Sequence, residues 1–193
     1  MIAWRNAHTP GKEIWVTAFG YDASTKPAPP DSKWVGATDT EQAQWLVRSF
    51  LVFSAMDIDE ASFFYFDDDD LPGLHNSSGI TRHFQPKPSF YALAHLQKTL
   101  GDYRFSKVIN SDKNLYVYEY VNPDKPGEPI WVAWSPTGSQ REDTQKISIT
   151  GKAIKAERMP LKEGDAEAVN LKDDGGAVEF TINESPTYIW LKQ

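Results

Sequence analysis

Cysteine is absent from the 193 residues. That excludes disulfides, zinc–thiolate sites and thiol catalysis, and leaves the compartment open. Clustered basic residues are missing as well. The net charge is −7 and the pI is near 5.1, so no nucleic acid partner is expected. No apolar run approaches the roughly 18 residues of a membrane span, so no membrane partner is expected either. The opening MIAWRNAHTPGK lacks the charged start, apolar core and small-residue cleavage site of an export signal. No signal peptide is expected on this chain, and its localisation is unassigned. The four histidines, His8, His75, His83 and His95, are scattered without ligand spacing. Neither a metal site nor a Ser-His-Asp arrangement is implied, and no cofactor is expected. Internal repeats and low-complexity tracts are absent too.

What the chain does have is aromatic side chains, 13% of residues, with seven Trp and eight Tyr. Most suit a core; rings left outside can stack on the apolar faces of sugars. With 40% hydrophobic and 24% charged residues, the length suits one compact domain or two small ones.

Residues 13–22, EIWVTAFGYD, form an apolar, β-branched and aromatic run with the composition of a strand buried on both faces. Gly20 ends it, and Tyr21 and Asp22 open a polar loop. A buried strand emptying into such a loop is where a barrel enzyme keeps its working side chains. Near that end stands Ala18, which offers only a methyl group. A long Pro- and Ser-containing loop, DASTKPAPPDSKWVGAT, follows. Thr38 and Glu41 then match a capping box, and Ala43, Leu46, Phe50 and Phe53 recur at helical spacing. The spacing predicts a helix over 39–56 with these four as its buried stripe. EASFFYFDDDD reads as an aromatic strand running into four acids. In PSFYALAHLQKTLG, Pro88 suits a helix start and Gly101 its stop, with Leu93, Leu96 and Leu100 on one face.

The order strand, helix, strand, helix is that of parallel α/β units. Near residue 105 the character changes to short strands and turns: YRFSKVIN, NLYVYEYV, PIWVAWS, QKISIT, IKAERMP, AVEFTI and TYIWLKQ. Leu115, Val117 and Glu119 alternate with Tyr116, Tyr118 and Tyr120, as in a half-buried strand. Strands without intervening helices predict an antiparallel sandwich. The expected fold is α+β in two parts: a partial (β/α) barrel segment over 1–104, with two βα units, and an antiparallel β-sandwich over 105–193.

In that order the segments resemble clan A glycoside hydrolases. WVTAFGYD is similar to their seventh barrel strand, commonly W-hydrophobic-T-E-F-G. EQAQWLVRSFLVFSAMDIDEASFFYFDDDD is similar to the next helix and eighth strand, and PKPSFYALAHLQKTLGDYRF to the closing helix. The tail ending SPTYIWL resembles the small sandwich that often follows such barrels. The resemblance implies retaining chemistry, in which two carboxylates about 5–5.5 Å apart flank the glycosidic bond. The attacking glutamate of T-E-F-G falls on Ala18, and a methyl cannot form the glycosyl ester. A full barrel takes roughly 250 residues; about 100 precede the sandwich here, and the segment holding the acid/base is not among them. The family's acid/base motif carries Asn-Glu, but Asn183–Glu184 sits in a terminal hairpin of the sandwich, away from any barrel mouth.

The same resemblance makes Tyr65 and Phe66 candidates for the aromatic floor under a sugar, against plain core packing. Tyr21 and Asp22 could contact ligand hydroxyls, against a loop tyrosine and a turn-forming Asp. Asp67 to Asp70 could offer hard oxygen ligands to calcium but lack calcium-loop spacing; they read as solvated, or as having one of them paired with Arg82. His95 reads as a helix-surface residue. Trp131 and Trp134 should face opposite sides of one strand, one in the core and one free to stack on sugar. The reading that follows is a glycosidase-like protein of the retaining type, without nucleophile or acid/base and inactive alone. The alternatives are a carbohydrate-binding module without catalysis, or a structural subunit that covers its open barrel edges with a second copy or with the absent N-terminal barrel segment.

Overall fold

Local signals start and stop the helices. In the computed structural model, which describes residues 1–193, Thr38 caps α2 (Asp39–Ala55). The Thr38 Oγ1 accepts from the Glu41 amide at 3.1 Å, and Glu41 Oε2 accepts from the Thr38 amide at 2.8 Å, so two orphan donors of the first turn are satisfied reciprocally. α3 (Pro88–Leu100) begins at its proline and stops before Gly101, whose amide donates to Gln97 O at 2.9 Å. A short α1 (Ile2–His8) precedes the first strand and is not foreshadowed by the sequence reading. It is held from the side: Arg5 donates to Lys12 O at 2.6 Å and to Asp57.

The chain divides into two compact units, Met1–Leu93 and Ala94–Gln193, so the division falls inside α3. In the first unit β1 (Trp15–Phe19) and β2 (Glu60–Phe63) pair in parallel and form a sheet of two strands, with α2 as the connection between them. The pairing aligns Trp15 with Glu60 and Phe19 with Phe63, with an irregularity between Val16 and Phe19. β1 is not buried on both faces: Trp15, Thr17 and Ala18 are exposed, because a two-stranded sheet leaves its outer edges and much of one face uncovered. EASFFYFDDDD is a strand only over Glu60–Phe63, and the Phe64–Tyr65 peptide after it is cis. Gly20 is required where the strands end, since a Cβ there would lie 2.4 Å from Phe64 O.

On α2, Ala43, Leu46, Val47 and Leu51 are buried. Phe50 and Phe53 are half-buried instead of core, and both meet Phe19 edge-on, at 5.1 and 5.0 Å between centroids. Three very short strands, β3 (Asp67–Asp68), β4 (Thr81–Arg82) and β5 (Gln85–Pro86), complete the unit as a small mixed sheet.

The second unit has two sheets. The larger one orders β11 (Glu167–Ala168), β10 (Lys152–Arg158), β14 (Thr187–Lys192), β8 (Lys125–Trp134), β7 (Tyr116–Asn122) and β6 (Arg104–Ser111), every neighbouring pair antiparallel. The smaller one orders β12 (Lys172–Asp173), β13 (Ala177–Ile182) and β9 (Asp143–Ser148). Val117, Trp131, Ala133 and Ile189 from the first sheet join Val178, Phe180 and Ile182 from the second in one apolar core, as alternating inward side chains of a sandwich do.

β7 is not half-buried. Tyr118 and Tyr120 are as covered as Val117 and Glu119, so both faces of this strand are shielded. For the same reason Trp131 and Trp134 are both buried, 4% and 2% exposed. Trp131 lies in the core, while Trp134 stacks on Tyr116 at 5.2 Å, so neither is free to carry a sugar. His95 is half-buried, not a surface residue: its ring meets Tyr188 edge-on at 4.8 Å. Burial pushes its pKa down, with nearby Lys98 and Lys155 adding to the effect against Glu157.

Candidate functional site

A cleft of about 420 Å³ opens at the C-terminal end of β1. Ala18, Phe19, Gly20, Tyr21 and Asp22 form one side; Phe53, Phe64, Leu74, His75 and Ser78 form the rest. Three of the residues singled out in the sequence, Ala18, Tyr21 and Asp22, therefore share one cavity. Tyr65 and Phe66 do not line it. Phe64, 45% exposed, stands there, with its ring 4.5 Å from that of Tyr65, and Phe66 is 57% exposed elsewhere on the loop.

The polar groups around the cleft are mostly engaged with the protein. The Tyr21 hydroxyl hydrogen-bonds Ser49 Oγ at 2.6 Å, and its ring meets Trp45 edge-on at 5.4 Å. Asp22 is the single carboxylate in the lining. Its Oδ2 accepts from the His75 amide at 2.9 Å; its Oδ1 accepts from the Ser77 amide at 3.1 Å and from Ser78 Oγ at 2.7 Å. Burial raises its pKa, but these three donors outweigh burial and hold the carboxyl below its ordinary value. The Tyr65 hydroxyl donates to Asn76 O at 3.0 Å. Burial, and then the negative charge of Asp68, raises the pKa of that phenol.

Beneath the loop lies an ionic layer that the acid run supplies. Asp68 is not solvated. Its Oδ2 is 2.9 Å from Lys87 Nζ, with both side chains essentially inaccessible, and Lys87 also donates to Ser77 O at 3.1 Å. Burial lowers the Lys87 pKa against the pull of Asp68. Asp70, also buried, accepts from the Thr25 amide at 2.8 Å and lies 3.1 Å from Arg82 Nε. Arg82 forks onto Asp39 at the start of α2, at 3.0 and 2.8 Å, the two-point geometry that guanidinium and carboxylate favour. Of the two alternatives the sequence left, a pair with Arg82 is present, through Asp70; Asp68 has a different partner, and Asp69 remains exposed. No group of three His, Asp or Glu is arranged to hold a metal ion.

Glu184 of the Asn183–Glu184 pair lies in the second unit. It is fully buried, and its Oε1 accepts from Thr137 Oγ1 at 3.1 Å. His75, Leu74 and Phe64 are cleft residues that the sequence reading passed over. The turn-rich LPGLHNSSG after the second strand is the one local sign of a shaped loop.

No family model and no curated protein matches the sequence. Solved structures do resemble it. A family 39 glycoside hydrolase from the gut symbiont Bacteroides cellulosilyticus WH2 aligns over 93% of this chain and 34% of its own, with a TM-score of 0.72 at 20% identity. The catalytic domain of the family 30 xylanase C from Talaromyces cellulolyticus aligns over 96% and 42%, with a TM-score of 0.63 at 15% identity. AbfB, a family 51 α-L-arabinofuranosidase from Bifidobacterium longum, aligns over 98% and 44%, with a TM-score of 0.60 at 12% identity. The chain thus spans between a third and a half of the length of the structures it matches. Its fold is glycosidase-like, mixed α+β with antiparallel sheets.

Proposed function

We propose that this chain corresponds to the C-terminal part of a clan A glycosidase-like protein, with two βα units of a (β/α)8 barrel over 1–104 and an accessory sandwich over 105–193. In this reading the cleft at the end of β1 holds carbohydrate and does not cleave it. Ala18 carries the reading: a methyl group occupies the strand end where a retaining enzyme presents its nucleophile. Asp22, the one carboxylate in the lining, already accepts three hydrogen bonds. Two carboxylates about 5–5.5 Å apart are what double displacement requires, and the cleft does not offer them. Its apolar rings and few polar groups fit the general pattern of a ligand pocket.

The reading is tested with aryl xylosides and aryl arabinofuranosides, chosen because a xylanase and an arabinofuranosidase share the fold, together with xylohexaose in titrations. The expected result is binding without turnover, for the native chain and for Ala18→Glu alike, since the acid/base partner is absent in both. Turnover by the native chain refutes it.

A second reading is favoured by the sheet itself. β1 and β2 have no further neighbours, and open parallel edges invite another strand. A second copy of the chain, or a separate N-terminal barrel segment, would then complete the fold. Sedimentation equilibrium across a hundredfold concentration range tests self-association. A monomer throughout, with no affinity for apolar dyes, removes the second-copy version.

A further inference from the structure

We propose that His75 is the polar side chain through which the cleft contacts an uncharged oligosaccharide, and that Asp22 is the positioning residue that aims it. This rests on the carbohydrate reading above. Four polar side chains line the cleft: Tyr21, Asp22, His75 and Ser78. Tyr21 is hydrogen-bonded to Ser49, and Ser78 donates its hydroxyl to Asp22. Asp22 accepts from Ser78 and from the amides of His75 and Ser77. The remaining one, the His75 imidazole, is exposed and has no hydrogen-bond partner. Its ring stands edge-on to Phe64, 6.5 Å away with the planes at 88°.

The loop that carries His75 is fastened from several directions. Its backbone is left-handed at His75, with φ of 66°, an uncommon conformation for a non-glycine residue that its surroundings help to hold. The surroundings are visible. Asp22 holds the His75 and Ser77 amides, the Tyr65 hydroxyl holds Asn76 O, and Gln42 and Lys87 both donate to Ser77 O, at 3.3 and 3.1 Å. A donor-acceptor ring carried on a backbone held in this way beside apolar walls needs little ordering of the loop, so that part of the binding cost is low. The chemistry it suits is a sugar, whose hydroxyls both donate and accept while its C–H face rests on Phe64. The ionised Asp22 behind the loop disfavours an acidic sugar in the same place.

The test uses the full chain, xylohexaose as probe, and side-chain and amide NMR. On titration, the His75 ring resonances are expected to move together with those of Phe64 and Ala18. His75→Ala should lose about tenfold in affinity, the effect of one good hydrogen bond to a preorganised group, and His75→Gln should regain part of it. Without ligand, Asp22→Ala should speed amide exchange at His75 and Ser77 at least about tenfold while β13 and β14 amides keep their protection. If Phe64 and Ala18 shift with xylohexaose but His75 does not, and His75→Ala binds as the native chain does, the His75 assignment is overturned and the carbohydrate reading survives. If xylohexaose moves no cleft resonance, the reading beneath it fails as well. Unchanged exchange in Asp22→Ala overturns the positioning role.

Discussion

The two units of the chain are stabilised in different ways. The second buries a continuous apolar core between two antiparallel sheets, with Val117, Val178, Ile182 and Ile189 fully covered. The first has only two small sheets, of two and three strands, and covers many polar side chains, among them Gln42, Asp68, Asp70, Ser77, Lys87 and Ser89. Apolar packing is indifferent to direction and sets density. Buried ion pairs and hydrogen bonds are directional and set where a loop points. The polar layer lies beneath the cleft loop and is attached to it through Lys87 and Gln42. A loop whose backbone is to be kept in one place is better served by that than by a larger core.

The largest expected effect is in the sandwich. Phe180 is 2% exposed in the middle of the core, and Phe180→Ala should destabilise the unit by about 3–5 kcal/mol through lost transfer energy and the cavity left behind. Urea unfolding of the full chain, followed by amide NMR so that the two units are read separately, measures it. A loss confined to signals of residues 94–193 sharpens the contrast. Equal loss in both units breaks it, because the units would then unfold as one.

Next comes the ionic layer. Lys87→Met should cost about 3 kcal/mol, since it strands Asp68 in a dry interior. Adding Asp68→Leu should restore only part, because Asp68 Oδ1 also accepts from the Asp70 amide at 3.0 Å, which then stays unpaired, while Ser77 O and Ala23 O each lose one of their donors. Full recovery in the double variant would mean that the layer works as plain packing, and the proposed division of labour would go.

Acid pH gives a smaller effect with a definite sign. Asp22 and Asp70 both have folded-state pKa values below the ordinary 3.8. In each case burial opposes the shift and hydrogen-bond donors outweigh it, with Arg82 adding its charge beside Asp70. A depressed carboxyl contributes stability that is complete above the unfolded value and is lost as pH falls through the folded one. The first unit should therefore loosen as pH falls below the ordinary carboxylate value of 3.8 and on through the lower folded-state values, and Asp70→Asn should flatten that limb. Asp112 and Asp174 of the sandwich are depressed as well, chiefly by hydrogen bonds from Asn110 and Lys146 and then by turn amides, but both carboxylates are exposed, where water already solvates the charge. Loosening of the sandwich first would contradict the contrast.

What could be read from the sequence was whatever neighbouring residues decide among themselves. The Thr38–Glu41 box, the Pro88 start and the Gly101 stop needed no knowledge of the rest of the fold. Sandwich strands such as Ala177–Ile182 followed from alternation between turns. The misses were decided by partners far along the chain. Asp68 is buried because Lys87 reaches it from nineteen positions on. His95 is covered because Tyr188 lies against it. Trp134 is hidden by Tyr116 across the sheet. At the cleft, Ala18, Tyr21 and Asp22 lie on one strand end and its loop, so they could be found together. His75 is brought to them by a loop held from distant positions, its own amide by Asp22, fifty-three residues away.

The smallest expected effect tests whether local and distant contacts in the first unit are independent. Thr38→Ala removes one half of the capping box and should cost about 1 kcal/mol if only the helix start is involved. But Asp39, the first residue of α2, is also the fork partner of Arg82, which reaches Asp70 and Ala23 O. A frayed first turn would swing that carboxylate away from the guanidinium. Combining Thr38→Ala with Asp70→Asn distinguishes the cases. Additive losses mean that the cap acts on the helix alone. A shortfall from additivity of about 0.5 kcal/mol or more means that the cap, the fork and the acid run form one network, as contacting groups do. The second result is expected, because a single guanidinium holds both carboxylates at once.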